Sequence, residues 1–340
     1  MRSCMRSVLP MAAVFVFILS FGLAGCAEVR VQGQMLRPAE INMAGYQQVT
    51  IEPIQGQGGD VITERLKQSL AEANFEVLDR ESLGQRQREE TLEKLGQAAP
   101  GGSGQKITKA GVLIKGKVLK HNFTQQVHQG TTRTNAGTYV SYCTEGQANV
   151  EVSLQVVDLA SMKIIAPKSV QARETGRTDY FPSPPPMDST ELFDRAHASV
   201  VADFMRAIAP YKEYFEVTLY KVGSVPTNDA GIEYFKSGNY ADAAREFESA
   251  LATAKSQPKV EPKDVSRITS NVAMAHEFSG DSERAIAIYK EAVRLDPGNG
   301  AYAQSISRCE RRIRDVRKLK DQGVPTAAAG AVSAVGGRGE

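Results

Sequence analysis

The side chains of this chain best suited to nucleophilic or metal chemistry are four cysteines and four histidines, and their spacing favours neither. His121, His128, His197 and His276 are scattered. None stands at a two-histidine-plus-acid helical spacing or beside a cysteine pair, so no metal is expected. Gly111-Val112-Leu113-Ile114-Lys115-Gly116-Lys117 has the spacing of a phosphate-binding loop. Val118, however, occupies the place where Ser or Thr would hold magnesium, and apolar residues fill what must be an open turn. Gly101-Gly102-Ser103-Gly104-Gln105-Lys106 fails too, with Gln105 between glycine and lysine. No nucleophile elbow appears. No catalytic residue, cofactor or enzymatic activity is therefore expected. The thiol with a readable role is Cys26, which closes Leu23-Ala24-Gly25-Cys26 at the end of an apolar segment.

That segment has the layout of a secretory leader: Arg2 and Arg6, then an apolar run from Val8 to Gly22, then small residues. The run is about 15 residues, short of the roughly 20 that span a bilayer. Leu23 to Cys26 resembles the lipobox of bacterial lipoproteins. The resemblance implies that Cys26 is acylated and residues 1–25 are removed. Ala27 stands where an aspartate would resemble an inner-membrane retention signal, so the implied address is the outer membrane, facing the periplasm.

Composition excludes several partners. Loss of Arg2 and Arg6 with the leader takes the formal charge from +2 to zero, which suits neither nucleic acid nor an acidic polymer. A length of 340 residues suggests about two domains. Of the remaining cysteines, Cys143 and Cys309 fall in different expected domains and each reads as a free, partly buried thiol.

Hydrophobic periods outline the elements. Residues 26–44 show little periodicity and read as a tether. Gln48 to Ile54 reads as a strand, and the stripe Ile62, Leu66, Leu70, Ala73 as a helix. Phe75 to Leu78 is the next strand and Glu81 to Leu95 a polar helix. Val112 to Leu119 is a strand. Val150, Val152, Leu154 and Val156 alternate with polar residues and turn through Asp158 to Lys163 into Ile164, a β-hairpin. Asp188 caps a helix with the stripe Phe193, Ala196, Val200, Phe204 and Ala207, and Phe215 to Leu219 is the last strand. The expected fold is α/β, a mixed sheet with helices on its faces, over residues 45–222.

Beyond the Gly223 to Thr227 linker the period becomes helical and repeats. Gly238-Asn239-Tyr240-Ala241-Asp242-Ala243 with Phe247 and Ala250 is matched by Gly280-Asp281-Ser282-Glu283-Arg284-Ala285 with Tyr289 and Ala292. This resembles the tetratricopeptide repeat, an all-α helical hairpin with small residues at crossings and an aromatic filling the gap. Gly231 and Tyr234 take the small and aromatic places of the first repeat; Ala273 and the closing Pro297 belong to the second. The turn glycines lie 42 residues apart against the usual 34, with the excess placed in a loop at Ser256 to Lys263. Tyr302 to Leu319 supplies the closing helix of a 227–320 domain, its arginines and lysines reading as a solvated face, and residues 321–340 read as a disordered tail. The resemblance implies binding of envelope proteins.

Three segments of the first domain resemble the curli-secretion channel family (CsgG-type) and the related penicillin-binding-protein activator lipoproteins (LpoB-type). They are Phe75 to Leu83 with its Asp79-Arg80, Ala110 to Val118, and Val150 to Ile165 with Val157-Asp158-Leu159. The resemblance implies a lipid-anchored accessory protein that binds others in outer-membrane or surface-structure assembly, and a homo-oligomer is compatible with it. A channel subunit or a cell-wall synthase activator is the alternative. A channel needs long amphipathic hairpins, and between His121 and Gln147 the apolar Phe123, Val127, Tyr139, Val140 and Tyr142 alternate poorly.

Overall fold

The computed structural model describes residues 28–78, 110–135, 137–180 and 187–325, with 327, 330 and 332–334. The leader, Cys26 and the expected helix Glu81 to Leu95 lie outside the described residues. The chain divides into two compact units, one spanning residues 43–209, the other residues 28–42 with 210–334.

In the first unit, β2 (Tyr46–Ile51), β3 (Glu76–Leu78), β4 (Ala110–Thr134), β5 (Gly137–Asp158) and β6 (Ile164–Tyr180) form one sheet in the order β3-β2-β4-β5-β6. β2 pairs in parallel with both β3 and β4, and a parallel pair needs a crossover. Helix α1 (Gly59–Glu72) supplies the one between β2 and β3, burying Ile62, Leu66 and Leu70. Ala73 is exposed, beyond the end of the stripe. β4, β5 and β6 are antiparallel. Val150, Val152, Leu154 and Val156 of β5 are buried while Glu151, Ser153 and Gln155 are half-exposed, so one face is covered. The covering helix is α2 (Thr190–Ile208), which buries Leu192, Ala196, Val200, Phe204 and Ala207. Asp188 accepts the Thr190 N–H at 2.9 Å, so its capping role is met from one residue further out than the helix-adjacent Ser189.

The second unit begins where a tether was expected. Residues 28–37 are a strand, β1, paired antiparallel with β7 (Tyr211–Tyr220) along its whole length. Its alternation of Val29, Val31 and Met35 with Arg30, Gln32 and Gln34 is broken in the sequence by Gly33. The break has a packing reason: a Cβ at Gly33 would lie 2.8 Å from the Phe215 ring. The expected disordered tail also contributes. Val332–Ala334 forms β8 on the other side of β1, giving the order β7-β1-β8.

Five helices follow β7: α3 (Thr227–Lys236), α4 (Tyr240–Ser256), α5 (Pro262–Phe278), α6 (Ser282–Leu295) and α7 (Gly300–Asp321), each packed on the next. The strands share their core: Val31, Met35, Val217 and Leu219 cluster with Phe235, Phe247, Val272, Phe278 and Tyr289. The segment expected as a linker is buried too, since Val222 and Val225 pack on Ala250, Ala254 and Ile268. Buried amides clamp it. Asn271 accepts the Tyr220 N–H at 3.0 Å, and both Asn271 and Asn228 donate to the Tyr220 carbonyl. The expected boundary at 222 therefore moves to 209/210, because β7 completes a sheet whose other members flank the helices in sequence. Among the described residues no helix is long and apolar enough to cross a membrane.

Candidate functional site

The feature of the first unit most open to a partner is the outer part of β4-β5-β6. β2 follows β4 only to Ile114, with one further bridge from Gln55 to Lys117. β4 and β5 continue together to the Thr134–Gly137 pair, and β6 follows β5 as far as the Tyr142–Tyr180 pair. From Thr124 to Tyr142 no described side chain is buried, so this is a ribbon in contact with solvent on both faces. Among the described residues its two long edges are β4 and β6.

Register decides which residues share a face. Phe123 pairs with Ala148, Val127 with Thr144, Gln129 with Tyr142 and Thr131 with Val140. Phe123, Val127, Val140 and Tyr142 thus occupy one face, diluted by Gln125, Gln129 and Thr131. The opposite face takes Gln126, His128, Cys143, Glu145 and, from β6, Arg177. There His128 lies 3.7 Å and Arg177 3.6 Å from the Glu145 carboxylate. Amphipathicity exists, and the sequence hid it behind glutamine and threonine at half of the apolar positions. Tyr139 falls on the polar face.

At the base of the ribbon, His121 of β4 meets His197 of α2, with Nε2 to Nε2 at 3.2 Å. The His121 ring stacks on Phe193 at a centroid distance of 4.0 Å. Burial lowers the pKa of both histidines, and at His197 the neighbouring His121 ring lowers it further. Seventy-six residues separate them, so no local spacing could have shown the pair. Gly58, at the start of α1, closes the site with φ of 76°. A Cβ there would lie 2.6 Å from His197 Nε2 and 3.0 Å from His121 Nε2.

In the second unit the expected repeat positions sort cleanly by burial. Gly231, Ala243, Phe247, Ala250, Ala273, Ala285, Tyr289 and Ala292 are buried. Gly238 and Gly280 are the turn residues, with φ of 81° and 98°, the left-handed region that favours glycine. Pro297 is exposed just past α6. Tyr234 does not fill the gap: it is 40% exposed, and its neighbour Phe235 is the buried aromatic. A one-residue shift turns a helix by about 100°, which suffices to exchange the two roles.

The basic helix α7 also departs from expectation. Arg308 donates to both carboxylate oxygens of the fully buried Glu277, at 2.6 and 2.7 Å. Tyr289 donates to the same carboxylate at 3.0 Å, and Arg312 donates to the Glu277 carbonyl. These two arginines are thus core residues, while Arg311, Arg314, Arg317 and Lys318 remain exposed. Cys309 beside them is buried, and burial pushes its thiol far above the ordinary range, so it is no nucleophile. Cys143 and Cys309 are both free.

A family described as "Curli production assembly/transport component CsgG" matches residues 42–178. No curated protein matches. Among solved structures, the chain is similar to the PelC dodecamer from Paraburkholderia phytofirmans at 11% identity, covering 52% of this chain and 98% of that one, with a TM-score of 0.25. A minor lipoprotein from Acinetobacter baumannii is similar at 14% identity, covering 47% and 86%, with a TM-score of 0.23. Lipoprotein GNA1162 from Neisseria meningitidis is similar at 13% identity, covering 46% and 96%, with a TM-score of 0.22. The family match thus covers most of the first compact unit and none of the later helices.

Proposed function

We propose, because residues 42–178 match the CsgG family model, that this chain is a non-catalytic, lipid-anchored accessory of envelope assembly or secretion that self-associates through its ribbon. The observation that carries this is the pair of long strand edges that β4 and β6 present among the described residues. An unpaired edge is a template for another strand, and a second copy offers the complementary edge. Successive copies joined β6 to β4 would form a closed ring, since head-to-tail contacts close when the rotation permits. Light scattering of the purified full chain in detergent should give a discrete oligomer. A monomer at micromolar concentration and above would refute self-association.

Anchoring rests on Cys26. Diacylglycerol plus an N-acyl chain exceeds the single chain that gives only marginal binding. Cys26→Ser should leave an uncleaved or soluble species on fractionation, and a mature outer-membrane form of that variant would remove the anchor from the proposal. The helical unit is read as the partner-binding module, a tetratricopeptide-like pair of hairpins. Supporting this are its matched glycine turns and matched buried alanine and aromatic positions. No catalytic role is assigned, and turnover of an envelope substrate such as peptidoglycan fragments would contradict that.

One observation favours a second reading. The face bearing Phe123, Val127, Val140 and Tyr142 gives the ribbon the two-sidedness that a membrane barrel strand needs. In that case the oligomer should raise the conductance of a planar bilayer, and Val127→Asp should abolish it. An oligomer with no conductance leaves the accessory role.

A further inference from the structure

We infer that the edge of β1 facing β8 is a strand-addition site for an extended segment of a partner protein, alternating apolar and polar residues, with an acid opposite Arg30. β8 occupies part of that edge and shows what it accepts. β1 is ten residues long, and β8 pairs with three of them, Gly33, Gln34 and Met35. Val332, opposite Met35, is buried in the core, and Ala334, opposite Gly33, packs against the same cluster. Gln34 donates its side-chain amide to Ser333 Oγ at 2.9 Å.

The direction of the backbone groups identifies those left over. Tyr220 turns its N–H to Asn271 and its C=O to Asn271 and Asn228, away from β1. Tyr220 pairs with Glu28, and directions alternate along an antiparallel ladder. Glu28, Arg30, Gln32 and Gln34 therefore point their N–H and C=O toward the β8 side. Ala334 agrees, since its N–H points away from β1 and donates to the Tyr240 hydroxyl at 2.6 Å. Ser333 is thus the residue that faces Gln34. Among the described residues nothing pairs with the backbone of Glu28, Arg30 and Gln32 on that side. Such an edge is a template for another strand. Main-chain bonds supply the affinity of strand addition and alternate side chains its selectivity.

The chain's own continuation suits this remainder poorly. Extended past Ala334, the register assigns Val335-Gly336-Gly337-Arg338-Gly339 to the places opposite Gln32 to Glu28. Glycine weakens a strand interior, and Gly336 and Arg338 are matched to Val31 and Val29, which lie on the inward, more buried face. A partner with Val at those two places and Glu opposite Arg30 gains what the chain lacks. Arg30 is exposed, 3.5 Å from Glu216, and opposite charges across a strand pair are favourable. The inference rests on the helical unit as the partner-binding module and gives that module a ligand chemistry.

The probe is the capped, fluorescent peptide Ala-Val-Ser-Ala-Thr-Val-Glu-Val, titrated by anisotropy into the full chain in detergent. Its Thr and Glu face Gln32 and Arg30, so N-methylation of both should weaken binding about tenfold, the loss of two backbone hydrogen bonds. Deleting residues 332–340 should tighten binding by removing the competing strand. Arg30→Glu should weaken it, and a probe with Lys in place of Glu should bind that variant better. Should the deleted chain fail to fold, the methylated and unmethylated probes against the unsubstituted chain decide the matter. Binding unchanged by N-methylation and by Arg30→Glu would overturn this site while keeping the module. No binding to the full or the deleted chain would overturn the site and leave the module to the surfaces of its helices.

Discussion

Glu277 is the single residue on which the helical unit most depends. It is fully buried and holds Arg308 through two short hydrogen bonds, with Tyr289 as a third donor. Replacing both partners of such a pair by apolar groups can be neutral, but removing one strands the other charge. Glu277→Ala should therefore cost about 3–5 kcal/mol, read by urea unfolding of the full chain. An effect under about 1 kcal/mol, the range of exposed pairs, would mean that Arg308 reaches water. The His121–His197 pair gives a pH dependence of its own. Both folded-state pKa values lie below the ordinary 6.5. Above that value both states are neutral and the pair costs nothing. As pH falls below it the unfolded chain takes up protons that the folded chain refuses, so stability declines until the folded values are reached. The melting temperature should fall from pH 7 to pH 5, and His197→Gln should flatten the slope. Gly58→Ala meets both a left-handed backbone and the two Nε2 atoms, and should lower the melting temperature at every pH.

Between elements, the crossing of α3 and α4 is tight. A Cβ at Gly231 would lie 2.5 Å from the Phe247 ring, which itself is fully buried. Gly231→Ala should cost about 1–3 kcal/mol by overpacking, and Phe247→Ala about 3–5 kcal/mol by leaving a cavity. Guanidinium unfolding curves of the two variants would show whether the larger effect belongs to Phe247. These crossings were legible because small and aromatic residues recur in register. So was the β5–β6 hairpin, whose apolar residues alternate without interruption. Other elements were not. β1 alternates too, yet Gly33 breaks the pattern at the position where Phe215 needs room. β8 is three residues long, below what any period can reveal. The apolar face of the ribbon emerges only from pairing, which places Phe123 and Tyr142 together across two strands. Tyr234 shows the limit of positional reading, since its helix presents Phe235 to the core. The His121–His197 pair depends on a fold-level meeting of β4 and α2 that no local spacing encodes.

At the scale of the molecule, the second unit is discontinuous in sequence: its central strand precedes the first unit and its other strands follow it. Fragments should behave accordingly. Residues 43–209 contain a complete sheet with its covering helices and should fold alone. Residues 223–340 contain all five later helices, but lack Val31, Met35, Val217 and Leu219 from their core. Circular dichroism should show that fragment largely unfolded, with residues 210–340 rescued by adding a peptide of residues 28–42. Cooperative melting of residues 223–340 by themselves would mean that the strands merely decorate the helices.

The early start of β1 also fixes a length. An eighteen-residue connection, from residue 27 to 44, could extend to about 60 Å at 3.3–3.6 Å per residue. With β1 hydrogen-bonded from Glu28 onward, an acylated Cys26 would have only Ala27 before the first paired residue, a reach of under about 10 Å. A protein anchored in that way would not sweep a hemisphere of the periplasm in search of a partner. If acylated at Cys26, it would stand close to the lipid surface with one end of β1 as its foot, and collisions would be confined to a shallow layer where local concentrations are high. Inserting a flexible ten-residue Gly/Ser segment after Ala27 should thus leave folding intact while weakening any assembly that depends on neighbours meeting side by side on the membrane.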